Sequence, residues 1–464
     1  MFPITTTGLV AIAAAVFYLS HVGLRKGIID PYWIICFHFF RFFGFPLKDA
    51  SIALRVDMAN LLAFICFSVV FLAARKGTPK RAHGVLQRIW PHEDRGGAVP
   101  SLSDRAILLC ASLAVGYAAY NLWVSRLQYG GLEQALVRFY AMQPLEEISP
   151  WLIRARRILY WLAVLMIFTL RLNYAAHRRG LVALWIAFVA MVFVAFPAGA
   201  VGAFVAPVVA FLIADVVAAI QRGTRFRPRL DLIAVLAVAV LGGMLLLMIR
   251  GKRFRSLEDM VDYVLGNPQV VSTKLFEKTG EHHLIVSESV GYCLQNFGRR
   301  QEFLWLHTPY SILVNPIPRE LWPGKPLAFG RALAQIWRDE FGVPGVPVVG
   351  PSYAAGLAGE GYANGGWAGV VLLSAVVGYL CGKAAKYALI GLFTPSYPIV
   401  MVGLALFRFS IVFVRGDMLS AWTMTVYPLV VLVFGLALAD RILRKAARDA
   451  VSPVDRRASG GGPP

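Results

Sequence analysis

Long apolar runs alternate with short polar segments along most of the chain, and one long polar segment interrupts this pattern in the C-terminal half. Eleven runs have the length and composition of helices that cross a hydrocarbon layer about 30 Å thick. The runs cover residues 4–20, 31–46, 54–74, 104–125, 152–172, 181–197, 199–220, 231–249, 366–382, 397–414 and 419–440. The second run is short and is also compatible with a re-entrant segment. The pattern predicts an all-α, polytopic helical membrane protein with about 11 transmembrane helices.

The long polar segment divides the chain into four predicted parts. Residues 1–249 hold the first eight helices, 250–365 form one large loop, 366–440 hold three helices, and 441–464 form a basic, disordered tail. Within the loop, SLEDMVDYVL and EFLWLHTPYSIL are expected to form short helices that lie over the membrane face.

Basic residues set the predicted orientation. The chain has 46 Lys and Arg against 26 Asp and Glu, a formal net charge of +20. With eleven helices, the basic clusters all fall on one side, which makes that side the cytoplasm: 75–95, 177–180, 221–229, 382–386 and 441–457. This bias accounts for most of the positive charge, so no nucleic acid is expected as a partner. The large loop then lies on the opposite, periplasmic face.

An excess of cationic side chains on this predicted outer face needs a separate explanation. The motif RGKRFR follows the eighth run, IPRELWPGKP lies in the loop, and VRGDM ends the tenth run. We interpret their cations as a set that binds a diphosphate at the membrane surface: Arg250, Arg253, Arg255, Arg319, Lys325 and Arg415. Guanidinium groups bind phosphate through a planar fork, and positive charge stabilises a leaving diphosphate.

Arg408 extends this set into the tenth run. It precedes Arg415 by about two turns, and an arginine inside a membrane span is a functional candidate. For any single arginine near a membrane end, anchoring to lipid headgroups is the alternative.

Two further segments of the loop carry candidate chemistry. Four prolines within NPIPRELWPGKP (315–326) fix φ and hold Arg319 and Lys325 in place. In GEGYANGGWAG (359–369), Glu360 is a candidate general base for an acceptor hydroxyl, and the flanking glycines would let a bulky substrate approach the backbone.

Other residues complete the candidate site. Tyr362 and Asn364 could bind sugar hydroxyls, and Asp417 and His307 are the other base candidates. Structural alternatives remain open: Glu360 pairs with an arginine, Asp417 caps the last helix or pairs with Arg415, and His307 is structural. The five cysteines show no metal-binding spacing.

Three of these motifs occur in an order that resembles a known family. IPRELWPGKP, EGYANGGWAG and FRFSIVFVRGDMLSAW are similar to segments of the O-antigen polymerase family, the Wzy-type oligosaccharide repeat-unit polymerases. IIDPYWIICFHFF resembles the second helix of that family, which opens on Asp-Pro. The resemblance covers the last third of the chain and the rest by layout. Where the family often reads Asn-Phe-Gly, this chain has Asn364, Gly365 and Gly366, and Trp367 is the nearest aromatic substitute.

The resemblance implies a glycosyltransferase of the bacterial inner membrane with its active site on the periplasmic face. Donor and acceptor would be oligosaccharides linked to undecaprenyl diphosphate in the lipid bilayer, joined with inversion into O-antigen, capsule or exopolysaccharide. No metal and no other cofactor are expected, and a chain-length regulator and a flippase are further partners. The functional residues implied are Arg319, Lys325, Arg415 and Glu360.

Other functions remain open at this point. An O-antigen ligase, which passes the finished chain to lipid A core, has a similar layout. A polysaccharide-precursor transporter would place charge at the middle of broken helices, whereas most charge here lies at the predicted outer surface. A non-enzymatic scaffold would not need the cationic set.

Overall fold

The computed structural model of the 464-residue chain describes residues 4–22, 31–45, 47, 49–76, 102–130, 150–195, 201–221, 230–249, 257–267, 286–317, 321–341, 355–393, 414, 418–428, 430–431 and 434. Every structural statement below concerns these residues.

Helices make up the N-terminal half of the described chain. Each of the first eight predicted runs overlaps one helix: α1 (Thr6–Val22), α2 (Pro31–Phe43), α3 (Ala50–Arg75), α4 (Asp104–Tyr129), α5 (Pro150–His177), α6 (Leu181–Ala195), α7 (Val201–Gln221) and α8 (Leu230–Ile249).

The segment predicted as a large loop also contains helices. They are α9 (Leu257–Gly266), α10 (286–296), α11 (His307–Val314) and α12 (Phe329–Phe341). The next helix, α13, spans Gly356–Phe393 and so begins ten residues before the predicted start of the ninth run at 366. A last helix, α14 (Met418–Ala421), continues into a π-helical turn at Trp422–Val426.

These elements confirm the predicted class at a coarse level. No β-strand occurs among the described residues. Four helices are long and apolar enough to cross a membrane: Ala50–Arg75, Asp104–Gln128, Ala155–His177 and Gly356–Lys386. The described chain is therefore all-helical and has the character of a membrane protein. The count of eleven crossings and the periplasmic position of the large loop stay predictions.

The apolar side chains form two cores. The first lies between α4, α5, α6, α7 and the start of α8, around fully buried Trp161, Phe168 and Phe211. The second joins α1, α2 and α3 to α10, α12, α13 and α14, around Phe39, Phe64 and Phe67. The second core matters for function, because it fixes parts of the predicted loop directly onto membrane helices.

Close packing between α3 and α13 depends on a pair of glycines in the sequence GYLCG. A methyl group on Gly378 would lie 2.5 Å from the Phe67 carbonyl oxygen, and one on Gly382 would lie 2.4 Å from the Phe71 carbonyl oxygen. Small residues four apart allow two helix backbones to approach in this way inside a membrane. The packing holds α13, which carries Glu360, against α3.

Replacing Gly378 and Gly382 by alanine is expected to destabilise the protein, because the new methyl groups would push α13 away from α3. Overpacking of this kind costs about 1–3 kcal/mol. Gly116→Ala on α4 is the matched control: no atom lies within 4 Å of the added methyl, so its melting temperature should not fall. Thermal unfolding of the detergent-purified variants, followed by tryptophan fluorescence, checks this. Equal melting temperatures for the α13 variants and the wild type would contradict the close contact.

A buried ion network ties α5, α7 and α8 together. The fully buried Arg171 guanidinium donates to Asp215 through Nε at 2.9 Å and through Nη2 at 2.6 Å. It also donates to Asp231, through Nη2 at 3.2 Å and through Nη1. The Phe211 ring lies 4.9 Å from the guanidinium carbon. One arginine thus satisfies two carboxylates from two neighbouring helices.

Candidate functional site

Glu360 lies in the first turns of α13 and is buried, with only 2% of its surface exposed. Its Oε1 accepts a hydrogen bond from the Thr308 hydroxyl at 2.5 Å. Its Oε2 accepts from the Met418 backbone N–H at 2.8 Å. Both carboxylate oxygens therefore have donors, and the side chain connects α13 with α11 and with the start of α14.

Asn364, one turn after Glu360, completes the network. Its Oδ1 accepts from the Thr308 N–H at 3.1 Å, and its Nδ2 donates to the Thr308 hydroxyl at 2.9 Å and to the Glu360 carbonyl at 2.8 Å. A hydroxyl can donate one bond while it accepts another, so Thr308 serves both neighbours. We call Glu360, Thr308, Asn364 and the Met418 N–H the polar network. The sequence pattern singled out Glu360 and Asn364 but not Thr308.

The helix breaks directly after the polar network. Gly365 and Gly366 have non-helical backbone angles, and φ of Gly366 is +62°, which favours glycine. The break frees the Ala363 carbonyl, which accepts from the Leu304 N–H at 2.8 Å. The Phe303 ring lies over Gly366, 3.3 Å from where a methyl group would be. Phe303, which is distant in the sequence, thus supplies an aromatic ring beside Gly366.

The glycines beside Glu360 were expected to let a bulky substrate approach the backbone, and the structure gives them a different role. A methyl group on Gly361 would lie 2.8 Å from the Val370 Cα, and one on Gly359 would lie 3.3 Å from the Val290 Cα. These glycines let backbone from α13 and α10 approach, because the broken helix folds back on itself. The space that was expected to admit a substrate is filled by protein.

Tyr362 is also packed within the protein. It is buried, and its ring makes edge contacts with Phe303 and Trp367 at centroid distances of 6.0 and 5.6 Å. This aromatic cluster supports the broken helix. Sugar binding by Tyr362 stays a prediction.

Lys325 and His307 hold the proline-rich loop in shape. The buried Lys325 ammonium donates to the Asn315 carbonyl at 2.6 Å and to the Ile317 carbonyl at 2.8 Å, which satisfies carbonyls just beyond the end of α11. His307 Nε2 lies 2.9 Å from the Leu327 carbonyl, to which its N–H can donate. Both contacts favour a structural role for these residues over binding of a diphosphate or proton transfer.

Cys293 on α10 lies close to the polar network. Burial raises the pKa of its thiol, and the Glu360 carboxylate raises that pKa further. A raised pKa favours the protonated thiol, which is the unreactive form.

The remaining predicted site residues lie outside the described part of the chain: Arg250, Arg253, Arg255, Arg319, Arg408, Arg415 and Asp417. Their grouping stays a prediction. Asp417 directly precedes Met418, whose N–H bonds to Glu360. Within the described residues, no three His, Cys, Asp or Glu side chains are arranged to hold a metal ion.

A long apolar groove, not foreseen in the sequence, begins at the polar network. Its volume is about 680 Å³, and it runs along α13 from Ala368 to Ala384. The sixteen steps between these residues correspond to about 24 Å of helix, most of the roughly 30 Å hydrocarbon thickness of a bilayer. Pro309 and Ile312 of α11 also line the groove together with Asn364, and Trp422 and Val426 of the π-helical turn contribute to its walls.

Comparisons of the chain with family models, with curated proteins and with solved structures give no match.

Proposed function

We propose that this protein is a membrane glycosyltransferase that polymerises oligosaccharide repeat units linked to undecaprenyl diphosphate. The reaction would take place on the periplasmic face of the bacterial inner membrane and would build O-antigen, capsule or exopolysaccharide. One observation supports the proposal most: an apolar groove of nearly membrane length ends at a buried polar network. The motif order in the last third of the chain supports it independently.

The groove suits a polyprenyl chain better than a sugar. Its walls along α13 are aliphatic, including Leu372, Val376 and Leu380, and each buried methylene contributes about 0.8 kcal/mol. A lipid lying in the groove would bring its diphosphate to the level of Asn364 and α11. The cationic set predicted from the sequence, above all Arg319 and Arg415, would then stabilise the charge on the diphosphate as it leaves.

In the proposed reaction, the oxygen of an acceptor hydroxyl forms a bond to the anomeric carbon of the donor. The bond from that carbon to the diphosphate oxygen breaks, and its electron pair leaves with the diphosphate. A base takes the hydroxyl proton. Because both oxygens of Glu360 already accept hydrogen bonds, we assign Glu360 to holding α11 and α14 together and favour Asp417 as the base.

Filling the groove is expected to stop polymerisation. Ala368 is an exposed groove residue near the polar network, so Ala368→Trp would place an indole where the lipid lies. Displacing only two methylene contacts costs roughly 1.6 kcal/mol, or about tenfold or more in binding. The control, Val371→Trp, adds the same ring to an exposed position of α13 outside the groove.

The measurement is a ladder gel of surface polysaccharide from a deletion strain that expresses each variant, with protein level checked by blot. Single repeat units with Ala368→Trp and a normal ladder with Val371→Trp are the expected result. Arg319→Ala is expected to behave like Ala368→Trp. A normal ladder with Ala368→Trp would remove the main support for the proposal.

The deletion strain itself separates the alternatives. A polymerase deletion leaves single repeat units attached to lipid A core, whereas a ligase deletion leaves long chains on the carrier lipid and none on lipid A core. Loss of a transporter would trap single units on the cytoplasmic side. Unchanged long chains in the deletion strain would exclude the polymerase function.

A further inference from the structure

In helix α11 the polar side chains face the protein and the apolar side chains face outward, which is the reverse of the usual amphipathic arrangement. Thr308 and Ser311, its most polar positions after His307, are both 1% exposed and face the protein. The Thr308 hydroxyl donates to Glu360, and the Ser311 hydroxyl donates to the Thr308 carbonyl at 2.8 Å. A helix on the surface of a water-soluble domain turns such residues outward and its apolar stripe inward.

The outward side of α11 is apolar. Tyr310 and Leu313 lie three residues apart on the helix, and Leu306 and Ile317 lie just before and just after it; each is between 39% and 77% exposed. Leu321, four residues further along the sequence than Ile317, is 78% exposed. A group of exposed apolar side chains of this kind marks contact with a membrane or another molecule. We call these five residues the α11 face.

The residues that lead into α11 keep this face outward at a conformational cost. Trp305 and Leu306 have φ angles of +27° and +55°, in the left-handed region that bulky side chains avoid. Contacts on the inner side of the loop oppose any rotation of the helix, including the two bonds from the Lys325 ammonium and that of Tyr427 Oη to the Ile312 carbonyl at 2.5 Å. The conformation of the loop therefore holds Leu306 and Leu313 on the outer side of α11.

The α11 face is continuous with surface that faces lipid. Trp305, Leu306 and Pro309 line the same groove as Leu372 and Val376, which are more than half exposed on the membrane helix α13. Tyr310 packs edge-on against Trp322, and aromatic rings of this type are enriched where membrane meets water. The polar inner side meets Glu360 and the apolar outer side continues the surface of a membrane helix.

We infer that the α11 face is inserted into the interfacial region of the bilayer, among lipid acyl chains, so that the groove opens sideways to lipid. An amphiphile then enters the groove by diffusing within the bilayer, without passing through water. This arrangement also sets the depth of the polar network at the headgroup level. The inference does not rest on the proposed function, since any ligand with a long apolar tail would use the same entrance.

Spin labels on cysteine variants, with the full chain in nanodiscs of phosphatidylethanolamine and phosphatidylglycerol, test this placement. Oxygen partitions into lipid and a water-soluble nickel chelate does not, so the ratio of their effects on label relaxation reports depth. Leu313→Cys and Leu321→Cys report on the α11 face. Leu109→Cys, exposed on the membrane helix α4, is the lipid control, and Arg299→Cys, in the exposed turn after α10, is the water control. Cys66 and Cys110 are partly buried and are first replaced by alanine. Cys36, Cys293 and Cys381 are buried and are therefore kept.

Oxygen-to-nickel ratios at Leu313 and Leu321 close to that at Leu109, and several-fold above that at Arg299, are the expected result. Ratios equal to that at Arg299 would put the face in water and overturn the inference. Low accessibility to both reagents would mean that a protein covers the face, which also overturns it. Two independent label sites keep the test valid if one variant fails to fold.

Discussion

Arg171→Leu is expected to cause the largest loss of stability of any single substitution considered for this protein. The change would leave Asp215 and Asp231 facing each other across α7 and α8 without the cation that bonds to both. Removing one partner of a buried ion network costs about 3–5 kcal/mol, because the remaining charge stays buried and uncompensated. Much of the variant should therefore fail to reach the folded state.

Fluorescence-detected size-exclusion chromatography and thermal unfolding in detergent measure this effect. Arg105→Leu, at an exposed position of α4, is the control and should change stability by less than about 0.5 kcal/mol. A triple variant, Arg171→Leu with Asp215→Leu and Asp231→Asn, should recover most of the loss, since no buried charge then lacks a partner. Normal stability of the single variant would show that the two carboxylates do not depend on Arg171.

Glu360→Ala is expected to abolish the proposed polymerisation activity, whereas Glu360→Gln is expected to retain most of it. Alanine removes the acceptors of the Thr308 hydroxyl and the Met418 N–H, which hold α11 and α14 in place. Glutamine has the same shape, and its amide can bond to both groups. Exchanging a charged acceptor for a neutral one costs about 1 kcal/mol, so the rate should stay within roughly tenfold of the wild type.

The rate is measured in membranes with undecaprenyl-linked repeat units isolated from the deletion strain. Removal of a general base lowers the rate by about 10²–10⁴-fold, so such a loss in Glu360→Gln would assign proton transfer to Glu360. The dependence of rate on pH gives a second criterion: with a positioning role, the Glu360→Gln profile keeps the wild-type shape. Thr308→Val removes the hydroxyl but keeps the volume. It should lower the rate less than Glu360→Ala does, because the bond from the Met418 N–H to Glu360 remains.

Periodicity and apolar length predicted the helical class and the approximate ranges of the first eight helices, because a segment that crosses lipid must satisfy its backbone hydrogen bonds internally. They did not predict that α13 begins at Gly356, because the polar residues of its first turns are satisfied by α11 and α14, which lie far away in the sequence. The two glycines of GYLCG were a visible signal for the α3–α13 contact. Arg171 and Asp215, each within an apolar stretch of its helix, were visible signals for the buried ion network.

The sequence by itself predicted the all-helical membrane class and singled out the cationic motifs, Glu360 and Asn364, since these depend on residue type and spacing. The functional roles of these residues stay predictions. Only the tertiary structure decided what Glu360, Lys325 and the glycines contact, and that a groove extends along α13. It also decided that α11 turns its hydroxyls inward and its leucines outward. The physical reason is that a side chain's role follows from its partners, and these partners come together through packing between segments that are distant in the chain.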